Sequence, residues 1–173
     1  MSIAGIGELS KFYTQTYMKR QKESAEFLSK FKKIMKLPKK KKITITQIKK
    51  KAWAEFSKYI RLKYADANGM EACYTCGKVL HWKQMQAGHG IGGRNNAVLF
   101  MEEVVRPQEV GCNIYGGGKY SIFAEKLISE YGAKKYAYFV QESNKEKKMT
   151  VLDYQAVFEA YRDLNKQFLE EKL

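Results

Sequence analysis

Aspartate is scarce in this chain. Asp66, Asp153 and Asp163 are the only three in 173 residues, and none falls in the central stretch between residues 70 and 118. Carboxylate chemistry there is left to Glu102, Glu103 or Glu109. No run of about 18 apolar residues exists, so no membrane-spanning helix is expected. The first residues lack the basic start, apolar block and small-residue cleavage site of a secretory signal, and the expected compartment is the cytoplasm. Three cysteines cannot all pair within one chain. Without an export signal they read as reduced thiols or metal ligands rather than disulfides.

What is present is positive charge, and it is one-sided. The net charge is +14, and residues 1–66 hold 18 Lys and Arg against 5 acids, whereas residues 67–173 hold 14 against 13. A field of this kind favours a polyanion, most often nucleic acid. Residues 1–45 read as a basic helical arm and linker. Apolar residues recur at threes and fours over 8–36, Pro38 stops the pattern, and Lys39, Lys40, Lys41 and Lys42 form a run that repels itself until phosphates neutralise it. Residues 46–173 read as one domain. A helix over about 46–67 has Thr46 as its cap and an apolar stripe through Ile48, Ala52, Trp53, Phe56, Tyr59 and Ile60, and Asn68-Gly69 ends it. Lys49, Lys50 and Arg61 on that helix are candidate phosphate contacts. Residues 70–118 read as short strands and glycine-rich loops. A helix follows over 120–131, and 133–141 fits helix or strand. Thr150 with Asp153 resembles a capping box before a last helix to about 172.

The chemistry sits between Cys73 and Asn113. Cys73-x-x-Cys76 followed by Gly77 is the usual opening of a zinc knuckle, since two thiolates three residues apart can grip one tetrahedral ion. Cys112 supplies a third thiolate. The fourth position is open to Glu109, three residues before it, or to His81 or water, with Glu109 favoured. Three buried free cysteines in a core are the plain alternative. His89 stands at the expected end of a short strand, and a neutral imidazole there can take a proton from water. Asn113 offers a carbonyl oxygen of the kind Mg²⁺ accepts, and Cys112 beside it would hold its backbone in place. Arg94 and Arg106 are candidates for bidentate phosphate contacts.

At these residues the chain resembles the NinG/Rap family of phage recombination endonucleases, zinc-bearing members of the wider HNH (ββα-metal, His-Me finger) nucleases. The resemblance spans roughly residues 46–172. It is strongest in Trp53–Gly77, Trp82–His89, Arg106–Asn113 and the helix end at Leu127–Gly132. It implies an α+β fold: a small ββα-metal finger with a zinc knuckle over 70–132, flanked by long N- and C-terminal helices. It implies a metal-dependent endonuclease acting on branched or recombination-intermediate DNA in a host cytoplasm, with paired cuts calling for a homodimer. Cys73, Cys76 and Cys112 carry over as zinc ligands and His89 as general base. Asn113 matches the asparagine that, in the related endonuclease VII group, binds the catalytic Mg²⁺ or Mn²⁺. The chain departs from the pattern at four places. Glu109 replaces a zinc cysteine, Met101 an aspartate and Val104 an asparagine, and Gly90 stands where a bulkier residue is common. These departures motivate a second reading, a zinc-containing DNA-binding protein that has lost cleavage.

Overall fold

The structure, a computed structural model, describes residues 18–31, 43–92 and 95–172, with single positions at 15 and 33. The chain divides into two units, residues 1–42 and 43–173, and each is described by itself. In the first, residues 18–31 form helix α1, whose Phe27 and Phe31 rings stack 6.3 Å apart on an exposed face. The remainder of the expected helix over 8–36, and Lys39 to Lys42, lie outside the described residues.

The second unit is built on two long helices. Helix α2 (Ile45–Tyr64) buries Ile48, Ala52, Phe56, Tyr59 and Ile60 along one stripe. Its cap is Thr44 rather than Thr46. The Thr44 hydroxyl accepts the Gln47 amide while Gln47 Oε1 accepts the Thr44 amide, which satisfies two N-terminal donors reciprocally. The helix stops at Tyr64, short of the expected 67, because Ala65 is already extended and the Asp66 carboxylate accepts the amides of Asn68 and Met70. Helix α5 (Val151–Lys172) lies along α2 in the same direction, Tyr154 beside Ile48 and Phe168 beside Leu62. Tyr161 meets Phe56 edge-on at 4.9 Å, and Asn165 donates to the Glu55 carbonyl and carboxylate. Full burial of each large apolar side chain along this seam contributes roughly 1.5–3 kcal/mol. The Thr150–Asp153 capping box before α5 is present, with reciprocal amide bonds of 2.8 and 3.3 Å.

Two small antiparallel sheets sit at the side of α2. Strands β1 (Met70–Ala72) and β2 (Val79–His81) are joined by the 73–78 turn. Strands β3 (Gln86–His89) and β4 (Val105–Gln108) pair in register, Gln86 opposite Gln108 and His89 opposite Val105. After β4 come one π-helical turn (Gly111–Tyr115), α3 (Tyr120–Tyr131) and α4 (Ala133–Ser143), so the ambiguous 133–141 segment is helical. Ala87 and Val105 face α2 and join Phe56, Ile60, Val98 and Phe139 in the core. Helix α3 closes on the end of β3. A methyl group on Gly90 would collide with the Phe123 ring and Leu127, so this position has no room for a side chain.

Candidate functional site

The 73–78 turn is a tight loop whose backbone curls around its own sulfurs. Cys73 donates its amide to Lys78 O at 2.9 Å, Gly77 donates to Cys73 O at 2.9 Å, and Gly77 takes φ +78°, where a side chain would be strained. Tyr74 ties the turn to β4 by donating to Pro107 O at 2.8 Å. The π-helical turn then delivers Cys112 to the same place. The Sγ atoms of Cys73, Cys76 and Cys112 all lie within 4.8 Å of one another. Four ligands about 2.3 Å from a tetrahedral zinc lie about 3.8 Å apart, so the three sulfurs fit such an ion. Glu109 Oε1 is 3.7 Å from both Cys76 Sγ and Cys112 Sγ, and the Glu109 amide donates to Cys73 Sγ at 3.4 Å. His81 is turned away, its Nδ1 accepting the Lys83 amide at 3.2 Å. Among the candidates for a fourth position, the structure brings Glu109 to the thiols and not His81.

The thiols are unequal. Burial pushes the Cys73 thiol up, but hydrogen bonds from the Thr75 hydroxyl and the amides of Cys76, Glu109 and Thr75 outweigh it and bring Cys73 down to about 7. The Lys78 amide pulls Cys76 down, but burial and the neighbouring thiols prevail, and it stands at about 11. Lys78, 3.2 Å from Glu109, holds that carboxyl below its usual range. The amides of Thr75, Cys76 and Glu109 around the Cys73 sulfur favour a thiolate there, the form that binds a cation.

His89 and Asn113 stand at opposite ends of strand β3. Asn113 donates to Gln86 Oε1 at 2.6 Å, at the start of β3. His89 ends the same strand three residues later, about 10 Å along at the usual rise. The imidazole is 3% exposed, stacked on Trp53 at 5.1 Å and 19°, with Nε2 3.2 Å from Leu99 O. A carbonyl only accepts, so Nε2 carries a proton directed at Leu99. Glu102 is bound by Tyr59, Lys63 and Tyr161, and the thiol set is the one group of three or more Cys, His or acidic ligands brought together among the described residues.

Between α2, β3 and the π-helical turn lies an open cleft of about 480 Å³, lined by Trp53, Arg61, Gln86, Asn113 and Ile114 among others. Arg61 is fixed at its edge by the carbonyls of Ser57, Trp82 and Met85. Lys50 is exposed, and Lys49 donates to Asn96 Oδ1 at 2.9 Å. Arg106 departs from its expected role as a phosphate contact. It is 1% exposed, ringed by Tyr64, Tyr74 and Tyr131, and committed to Glu130, the Tyr131 hydroxyl and the Glu102 carbonyl. Strand pairing puts its side chain inward, where tyrosine faces and a carboxylate compensate the charge. Arg94 lies outside the described residues. Sequence reasoning missed Gln86 and Glu71, and it read Trp53 only as part of an apolar stripe. Glu71 is a buried carboxyl raised to about 8 by desolvation, against the pull of Arg61 and with a push from Cys73. A lone glutamate in a three-residue strand gives no sequence signal of burial.

These features define a basic, mixed helix-and-sheet protein with a three-cysteine cluster able to bind a metal such as zinc. No helix among the described residues is long and apolar enough to cross a membrane. The model of the family described as Bacteriophage Lambda NinG protein matches residues 7–171, and the chain belongs to that family. No curated protein and no solved structure gives a match.

Proposed function

We propose that this protein is a DNA endonuclease of phage recombination that hydrolyses phosphodiester bonds in branched DNA. In this reading β3, β4 and α3 are the ββα finger of an HNH-type nuclease, braced by zinc on Cys73, Cys76, Cys112 and Glu109. The observation that carries the reading is the Leu99 carbonyl on His89 Nε2. It places a proton on Nε2, so that Nδ1 would be the nitrogen to act as base, at the end of the strand where the finger of such nucleases keeps its histidine. His89 would take a proton from water as the water attacks phosphorus, releasing the 3′-oxygen and leaving a 5′-phosphate. Family membership and the excess of basic residues before Ala67 support DNA as the substrate. Asn113 would offer its carbonyl oxygen to a Mg²⁺ or Mn²⁺ ion, which when bound would supply charge stabilisation at the phosphate. Purified protein should cut a four-way junction in preference to linear duplex, in buffers containing Mg²⁺ or Mn²⁺, and give 5′-phosphate ends. Intact junction after prolonged incubation with either ion would refute cleavage.

One observation favours a second reading, that of a zinc-containing DNA-binding protein without cleavage. His89 is enclosed behind Trp53. Cleavage requires water to reach Nδ1, and so requires Trp53 to move when DNA binds. Tight junction binding with no product would select this second reading.

A further inference from the structure

The turn between Cys112 and α3 is built unlike the rest of the domain. Gly116 donates to Gly111 O at 2.7 Å, five residues back, which closes a π-helical turn. Such turns bulge outward and are frequent at functional sites. Ile114 is left 57% exposed and Tyr115 86% exposed, with Tyr120 half-exposed beyond them. Lys119 adopts φ +52°, the one non-glycine residue with positive φ among the described residues. Strained backbone of this kind persists where the surroundings enforce it and clusters at ligand contacts. Ile114 also lines the cleft that holds Arg61 and Asn113. Residues 110–121 contain no acid. An exposed aromatic and an aliphatic side chain therefore stand on an acid-free turn, beside a cleft edged by a fixed guanidinium.

We propose that this turn binds unpaired nucleobases of DNA, with Tyr115 stacking on a base, Ile114 wedging beside it, and Arg61 and Lys119 taking the adjoining phosphates. The proposal rests on the reading of DNA as the substrate and names which part of it the protein seeks: the open bases of a branch point rather than paired duplex. Aromatic faces stack on any base and need no sequence, while the flanking cations supply salt-sensitive attraction. Arg61 is suited to the phosphate because Nε and Nη1 are already held by carbonyls, while Nη2 makes no hydrogen bond among the described residues.

The test is fluorescence anisotropy of the full chain with labelled single-stranded DNA, a four-way junction with unpaired centre bases, and fully paired duplex. Tyr115→Ala should weaken binding to the first two by about 5- to 100-fold and to duplex by less than about 2-fold. Tyr115→Trp should restore affinity. A 2-aminopurine in the unpaired stretch should be quenched by wild type and not by Tyr115→Ala. Leu152→Ala, at an exposed apolar position on α5, should change none of these. Equal loss on all three DNAs, or no loss on any, overturns the proposal while leaving DNA as the substrate. Wild type that binds none of the three overturns both. Sedimentation covers the other occupant of an exposed apolar turn. If Tyr115→Ala converts a dimer to a monomer without altering DNA selectivity, the turn is a contact between copies and the proposal fails.

Discussion

The two ends of strand β3 make a sharp contrast. At Gln86 the strand opens onto a cleft with Arg61 fixed at its edge, Asn113 bonded to the strand, and the exposed Ile114–Tyr115 turn alongside. At His89, ten-odd ångströms away by strand rise, the side chain is sealed between Trp53 and the Leu99 carbonyl. Under the proposed function, the open end would serve recognition and the closed end a proton transfer that awaits an opening. Affinity and chemistry should therefore respond to different substitutions. The thiol cluster braces the open end through Cys112, and the α2–α5 core braces the closed one through Trp53 and Phe56.

The largest expected effect comes from removing that first brace. Cys112→Ser, or a strong chelator, should release one zinc per chain by elemental analysis. It should lower the melting temperature by on the order of 10 °C or more, because metal binding energy is folding energy in a site of this kind. Glu109→Ala should weaken zinc binding less than Cys112→Ser does. Full zinc retention in Glu109→Ala would leave the fourth position to water. Unchanged melting after chelation would mean the open end stands without metal.

Next in size is the wall between the two ends. Trp53→Ala should cost about 3 kcal/mol of stability, as large-to-small changes at packed aromatics do. It should also expose His89. The chain has only two histidines, so acylation by diethylpyrocarbonate followed by mass spectrometry reads them separately. Wild type should react at His81 alone, and Trp53→Ala at both. Reaction of His89 in wild type would erase the contrast.

Per step of one pH unit, the smallest change concerns Glu71, buried near Arg61. Unfolded, this carboxyl gives up its proton near 4.5; folded, it keeps the proton to about 8. Stability therefore falls as pH rises from about 4.5 to about 8 and levels off above. Glu71→Gln removes the titration. Its stability relative to wild type should climb across that window by at most about 1.4 kcal/mol per pH unit, followed by denaturant melts at stepped pH. A flat difference would mean the carboxyl is solvated.

Some of this was legible in the sequence, for physical reasons. A metal knuckle is mostly local, so Cys73, Cys76 and Gly77 announce it, and the Glu109–Cys112 spacing brings the partner acid and thiol to it. The α5 cap is legible because Thr150 and Asp153, three residues apart, bond each other through amides and side chains. The start of α2 was misplaced by two residues because Thr44 and Thr46 both look like caps, and only the reciprocal Gln47 bond chooses. Arg106 could not be placed from pattern. Whether a strand residue faces solvent or a cage of three tyrosines depends on partners as distant in sequence as Tyr64 and Tyr131. The Trp53 stack on His89 spans 36 positions in sequence and has no local signature.

The most direct test of the account is His89→Ala assayed twice on the same four-way junction, for binding and for cleavage in Mn²⁺. The account predicts affinity within about 2-fold of wild type and a cleavage rate lower by about 100-fold or more. A variant that cuts at the wild-type rate, or that loses binding and cutting by the same factor, would contradict it.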